Sequence, residues 1–155
     1  MSDGAVGLGS ILKRIGNYGK METFTDRLRF QKKVYLMQAF GLNLGYRFSW
    51  YIRGPYSPSL TIDGFELRSY YDGIPEGRFV GQKHEDRFQE YLQFLADKRH
   101  DEDWLEIIAS IHFLRRVHPG WPKNRILEKV QKKQSYFTKE MCEGGWQYLE
   151  EWDLI

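Results

Sequence analysis

The stretch Tyr46-Arg47-Phe48-Ser49-Trp50-Tyr51-Ile52-Arg53-Gly54-Pro55-Tyr56-Ser57-Pro58-Ser59-Leu60 decides how the rest of the chain is read. Its first half alternates, with Tyr46, Phe48, Trp50 and Ile52 on one face and Arg47, Ser49, Tyr51 and Arg53 on the other. Period-two alternation rich in aromatics predicts a half-buried strand. Gly54-Pro55 is expected to stop that strand, because proline has no amide to give to a ladder. Ser57-Pro58 predicts a helix cap followed by a first-turn proline, whose missing N–H would have been unpaired there anyway.

Helical signals lie on both sides. Upstream, Thr25 and Asp26 suit a helix start, and Phe30, Val34 and Met37 form a stripe at i, i+4, i+7, with Gly41 as the stop. A helix over Asp26–Phe40 follows, with Arg29, Lys32 and Lys33 directed away from the stripe. Downstream, Leu60, Gly64, Leu67 and Tyr71 continue at helical spacing. Gly64 costs about 1 kcal/mol relative to alanine in a helix interior, which points to a close crossing. Arg78-Phe79-Val80 is a candidate extended piece to pair with the Tyr46 strand. His84 to Lys98 predicts a further helix with Phe88, Tyr91, Leu92 and Leu95 inward. Asp101-Glu102-Asp103 opens the most apolar helix, carrying Trp104, Ile107, Ile108, Ile111 and Leu114, which belongs at the centre. His118-Pro119-Gly120-Trp121-Pro122 breaks it. Ile126, Leu127 and Val130 mark the next helix, and Thr138 caps a last one with Met141, Cys142, Trp146 and Leu149.

Phe30-Gln31-Lys32-Lys33-Val34-Tyr35-Leu36-Met37-Gln38 and, after a short gap, Trp50-Tyr51-Ile52-Arg53-Gly54-Pro55-Tyr56-Ser57-Pro58-Ser59-Leu60 resemble the YwgA-like family of small bacterial and archaeal proteins. More distantly, the two motifs are similar to the Panacea domain of SocA-type antitoxins. The likeness covers the first half of the folded region and thins after Asp72. It implies a mostly helical fold and, through the Panacea relatives, an antitoxin or antitoxin-accessory part that binds protein. The second motif ends Gly-Pro-Tyr-Ser, as in YwgA-like chains.

The chain is 155 residues long, with 16% aromatic and 28% charged side chains, enough for one domain with a bulky core. The expected fold is mainly α: a single compact domain over residues 22–155, with five or six helices and a small antiparallel β element near Tyr46–Arg53. Glycine-spotted residues 1–21 are expected to be a mobile tail or lightly attached arm. No apolar run approaches the ~18 residues of a membrane span, and no signal peptide is evident. A lone cysteine, Cys142, fits a cytoplasmic location.

The net charge of +2 conceals a segmented pattern. Up to Gly54 nine Lys/Arg face three Asp/Glu, and from Pro55 to Ser110 six face twelve. From Ile111 to Lys139 eight face one, and the last sixteen residues carry five acids and no base. Such alternation either polarises the surface or solvates and pairs locally.

No catalytic or metal constellation is evident. His84, His100, His112 and His118 lack zinc spacing, and His112 fits a hydrogen-bonded core position. Asp101-Glu102-Asp103 lacks the glycine and closing glutamate of a calcium loop. No cofactor or metal is expected, and no enzymatic activity.

Two binding surfaces stand open. Arg47, Tyr51, Arg53, Tyr56 and Ser57 form a cationic aromatic candidate surface for a protein partner. Alternatively, that corner only fills the gap beneath the first helix while Arg53 pairs with an acid. Arg115, Arg116, Lys123, Arg125, Lys129, Lys132 and Lys133 are candidates for nucleic-acid backbone contact. The following helix carries Glu140, Glu143, Glu150 and Glu151, which argues against base reading by that helix. The first expectation is a non-catalytic interaction module, with a nucleic-acid-binding regulator as the alternative.

Overall fold

The computed structural model describes residues 2–16 and 21–155, and these are mainly helical. In order they form α1 (Asp3–Leu12), α2 (Phe24–Ala39), β1 (Ser49–Tyr51), β2 (Gly54–Tyr56), α3 (Pro58–Arg68), α4 (Gln82–Leu95), α5 (Glu102–Val117), α6 (Lys123–Gln131) and α7 (Lys139–Glu151). Short 3-10 turns lie at Tyr71–Gly73 and Ala96–His100. Helix α5 is the hub, packing against α2, α6, α7 and β2, while α1 lies on α3. Ile108, Ala109 and Ile111 are wholly buried, as the apolar periodicity of α5 predicts. Among the described residues no helix is long and apolar enough to cross a membrane.

Local chemistry sets most element ends. Asp101 accepts from the Trp104 amide and Thr138 from the Met141 amide, so both helices start where the sequence predicts. Ser57 caps α3 with Pro58 in its first turn. Helix α2 starts two residues early. Thr23, not Thr25, is the cap, because Asp26 then sits at N3 and closes a reciprocal capping box with it. Gly41 takes φ of +87°, which ends α2. A Cβ on Gly64 would lie 2.7 Å from both Met21 and Phe30, so α3 does cross α2 closely there.

Four expectations are corrected. First, residues 3–15 are not an arm free of the core. Ser2 caps α1, and Ala5, Leu8, Ile11, Leu12 and Ile15 are buried. Their spacing makes an apolar stripe, and Gly9 lets α1 approach Leu67 and Ile74. Arg14 then locks the segment to α4 through a two-pronged ion pair with Glu85, each contact 2.7 Å. The remainder of the expected tail, residues 1 and 17–20, lies outside the described residues. Second, Gly54-Pro55 does not stop the sheet. The chain reverses at Ile52-Arg53, and Gly54–Tyr56 returns as β2, antiparallel to β1, with Trp50 opposite Pro55. A two-stranded sheet consists only of edges, and an edge tolerates proline. Third, Arg78–Val80 is not a strand and pairs with neither β1 nor β2. Fourth, Lys32 and Lys33, directed away from the apolar stripe, are nonetheless buried, at 1% and 3% exposure.

The first correction can be tested by truncation. Leu8→Ala is expected to cost about 2–5 kcal/mol of unfolding free energy in urea titration, the range for a fully buried leucine. A loose arm would leave stability unchanged.

Candidate functional site

The hairpin is too short to hold itself. Two strands of three residues are marginal alone, and their outer carbonyls face the helices without ladder partners. Side chains from three directions supply what is missing. From α2, Lys32 Nζ donates to the Pro55 carbonyl at 2.7 Å. Gln31 makes a double contact with Ser57, its Oε1 accepting from the Ser57 amide and its Nε2 donating to the Ser57 carbonyl, both at 2.9 Å. From α5, wholly buried Glu106 accepts from Arg53 Nε at 2.5 Å. From the segment after α6, Lys133 Nζ donates to the Tyr51 carbonyl at 2.5 Å and lies 4.0 Å over the Trp50 ring. Trp50 in turn stacks on Phe113 of α5, with ring centroids 5.9 Å apart.

Gly54 is required by this geometry. Its φ is +94°, and a Cβ would lie 2.3 Å from Ser110 Oγ, so the hairpin lies directly on the Ser110 side chain of α5. The cluster is strongly charged for its depth. Burial pulls the Lys32 ammonium from 10.5 down to about 7, opposed by the nearby Glu106 carboxylate. Burial pushes the Glu106 carboxyl up, opposed by its hydrogen bond to Arg53.

Beside the hairpin lies an apolar groove of about 320 Å³, between β1–β2, the start of α2 and the side of α3. Its rim carries Phe24, Tyr51, Ile52 and Phe65, all exposed, with Ile52 at 69%. The polar side chains that border it are already engaged. Gln31 and Lys32 bind the hairpin backbone, Arg53 binds Glu106, and Arg27 Nη1 binds the Met21 and Glu22 carbonyls. Thr61 Oγ1 donates to the Tyr56 hydroxyl, which leaves aromatic and aliphatic surface facing outward. Such a groove can take up an apolar side chain.

Of the five residues predicted to bind a partner, the structure brings Tyr51, Arg53 and Tyr56 to this groove, with the Tyr51 and Tyr56 rings stacked at 5.3 Å. Ser57 is wholly buried as a cap, and Arg47 lies elsewhere, in a separate groove with Arg116. Arg53 pairs with an acid, Glu106, and also lines the groove. Phe24, Ile52 and Phe65 were missed as site residues. Ile52 breaks the predicted alternation, since Tyr46, Phe48 and Trp50 are half-buried while it is exposed. An apolar residue at a hairpin turn is the signal that could have found it.

The seven predicted nucleic-acid contacts do not form one free surface. Lys123 pairs with Glu143 of α7 at 2.9 Å, Arg115 donates to the Pro119 carbonyl, and Lys133 is held by Tyr51. Arg116, Arg125, Lys129 and Lys132 are exposed, with Arg125 stacked 4.0 Å from the Trp121 ring. His112 is a buried core histidine, 2.7 Å from the Tyr35 hydroxyl, and burial lowers its imidazole to about 4. Cys142 is buried, and burial raises its thiol to about 11. Among the described residues no three His, Cys, Asp or Glu side chains converge.

Lys32 predicts a pH dependence. The unfolded chain keeps this proton up to about 10.5, whereas the folded chain releases it near 7. Between those values the unfolded state binds more protons, so stability rises with pH. Lys33, lowered by burial to about 8, adds the same sign only at higher pH. Unfolding free energy should therefore climb between about pH 7 and 8 by up to about 1.4 kcal/mol. In Lys32→Met that climb should flatten, whereas an unchanged slope would mean the proton belongs to another group.

Protein-family models, curated proteins and solved structures were compared with the chain, and none matches.

Proposed function

We propose that this protein is a non-catalytic interaction module that receives an apolar side chain of a protein partner in the groove beside the hairpin. One observation carries the proposal: the rim of Phe24, Tyr51, Ile52 and Phe65 is exposed, while the polar groups around it are spent on holding the hairpin. Aromatic and aliphatic side chains around a preformed apolar recess are what binding hot spots are made of. Ordering such a surface in advance lowers the entropic cost of association. The two motifs that resemble YwgA-like and Panacea chains are the same segments that build the groove, α2 and the hairpin. The resemblance supports a protein partner, within a toxin–antitoxin or defence setting.

A nucleic-acid-binding role is the second reading, supported by Arg116, Arg125, Lys129 and Lys132, which are exposed and make no ion pair with a carboxylate among the described residues. It predicts retention on duplex DNA that weakens steeply with salt.

Affinity capture from native cells, with Ile52→Asp and Phe65→Asp beside the unaltered chain, tests the first reading. Both side chains are exposed, so folding should be preserved. The expected result is a protein recovered with the unaltered chain and reduced about tenfold or more by either substitution. Equal recovery with the variants, or no recovered protein, contradicts it.

A further inference from the structure

A second groove, of about 500 Å³, lies on the side of the molecule where the α2–β1 connection meets the end of α5. Its walls bring together Arg47 and Arg116, which the sequence assigns to two different candidate surfaces. Both guanidinium groups are exposed, and neither makes a hydrogen bond or ion pair among the described residues. No carboxylate lines the groove. Tyr46, on its wall, donates through its hydroxyl to Asp63 at 2.6 Å.

The other polar side chains sort into spent acceptors and free donors. Gln38 is spent: its Oε1 accepts from the Leu44 and Tyr46 amides, and its Nε2 donates to the Tyr46 carbonyl. Asn43 uses its Oδ1 to accept from the Gly45 amide at 2.8 Å. Its NH₂ donors have no partner among the described residues. The unengaged side-chain groups are therefore two guanidiniums and one amide donor. The positive charge of Arg116 also acts to lower the proton affinities of Tyr35, on the groove wall, and of His112 behind it in contact with Tyr35. Phe48 and Phe113 supply the apolar part of the wall. Phe48 is held edge-on by Tyr35 at 5.1 Å, so this ring is fixed in place.

Two like charges on one recess with no acid among its lining residues present a positive field to an entering anion. A planar fork matches the oxygens of phosphate or carboxylate, and the aromatic wall suits a flat ring. We propose that this groove binds a small organic anion, a phosphate or carboxylate carried on a planar ring, with Arg47 and Arg116 on its oxygens and Phe48 and Phe113 beside its ring. The site is separate from the apolar groove at the hairpin and stands or falls without it.

Calorimetry on the full chain at low salt tests this with three probes: adenosine monophosphate, 2-naphthoate and inorganic phosphate. The expected result is that at least one ring-bearing anion binds about tenfold more tightly than inorganic phosphate. Arg47→Gln and Arg116→Gln should each weaken it by about tenfold, while Lys83→Gln with Lys98→Gln, exposed and away from the groove, leaves it unchanged. The nucleotide and naphthoate arms tell a phosphate head group from a carboxylate one. Three results would each overturn the proposal: no binding of any probe up to about 5 mM, inorganic phosphate binding as well as both rings, or affinity insensitive to both arginine substitutions.

Discussion

The structure depends on how an eight-residue hairpin is fixed to a helical body. Its strands exchange too few backbone hydrogen bonds to stand alone, and their outward carbonyls face α2 and the segment after α6. The helices answer with cations: Lys32 on the Pro55 carbonyl and Lys133 on the Tyr51 carbonyl. Buried charge is costly, and Glu106, itself wholly buried, offsets it while binding Arg53 of the turn. The result is a polar cluster beneath a β turn, joined to an apolar floor by Gly54 lying on Ser110.

This arrangement explains the surface chemistry above it. Because Gln31, Lys32 and Arg53 are committed inward, the face they would otherwise have made polar is left to Phe24, Tyr51, Ile52 and Phe65. The opposite pattern holds where the α2–β1 connection meets α5. There Gln38 is committed inward and Arg47 and Arg116 are left free, so that recess is cationic. The segmented charge along the chain is thus partly neutralised in three dimensions, as at Arg14–Glu85, Arg29–Glu102 and Lys123–Glu143.

The elements governed by short-range rules were legible in the sequence. Asp101, Thr138 and the Ser57-Pro58 pair mark helix starts through caps that a side chain makes to its own backbone. The stripe of Phe30, Val34 and Met37 marks α2, and Gly64 marks its crossing with α3. What was not legible depends on tertiary partners. The burial of Lys32 requires a carbonyl from the hairpin and a carboxylate from α5, neither of which is near it in sequence. Helix α1 was obscured because glycine weakens the helical signal, although Gly9 is there to admit Leu67 and Ile74. The groove likewise joins Phe24, Ile52 and Phe65 from three elements, so no local pattern announces it.

The claim that charged side chains hold the hairpin is tested most directly by a double-mutant cycle on Arg53 and Glu106. Arg53→Met, Glu106→Gln and the double variant would be compared with the unaltered chain by urea unfolding. A hydrogen bond between charged groups at this depth predicts a coupling of about 1.5–3 kcal/mol, with the double variant less destabilised than the two single losses combined. A coupling below about 0.5 kcal/mol, with the two losses simply additive, would contradict the account.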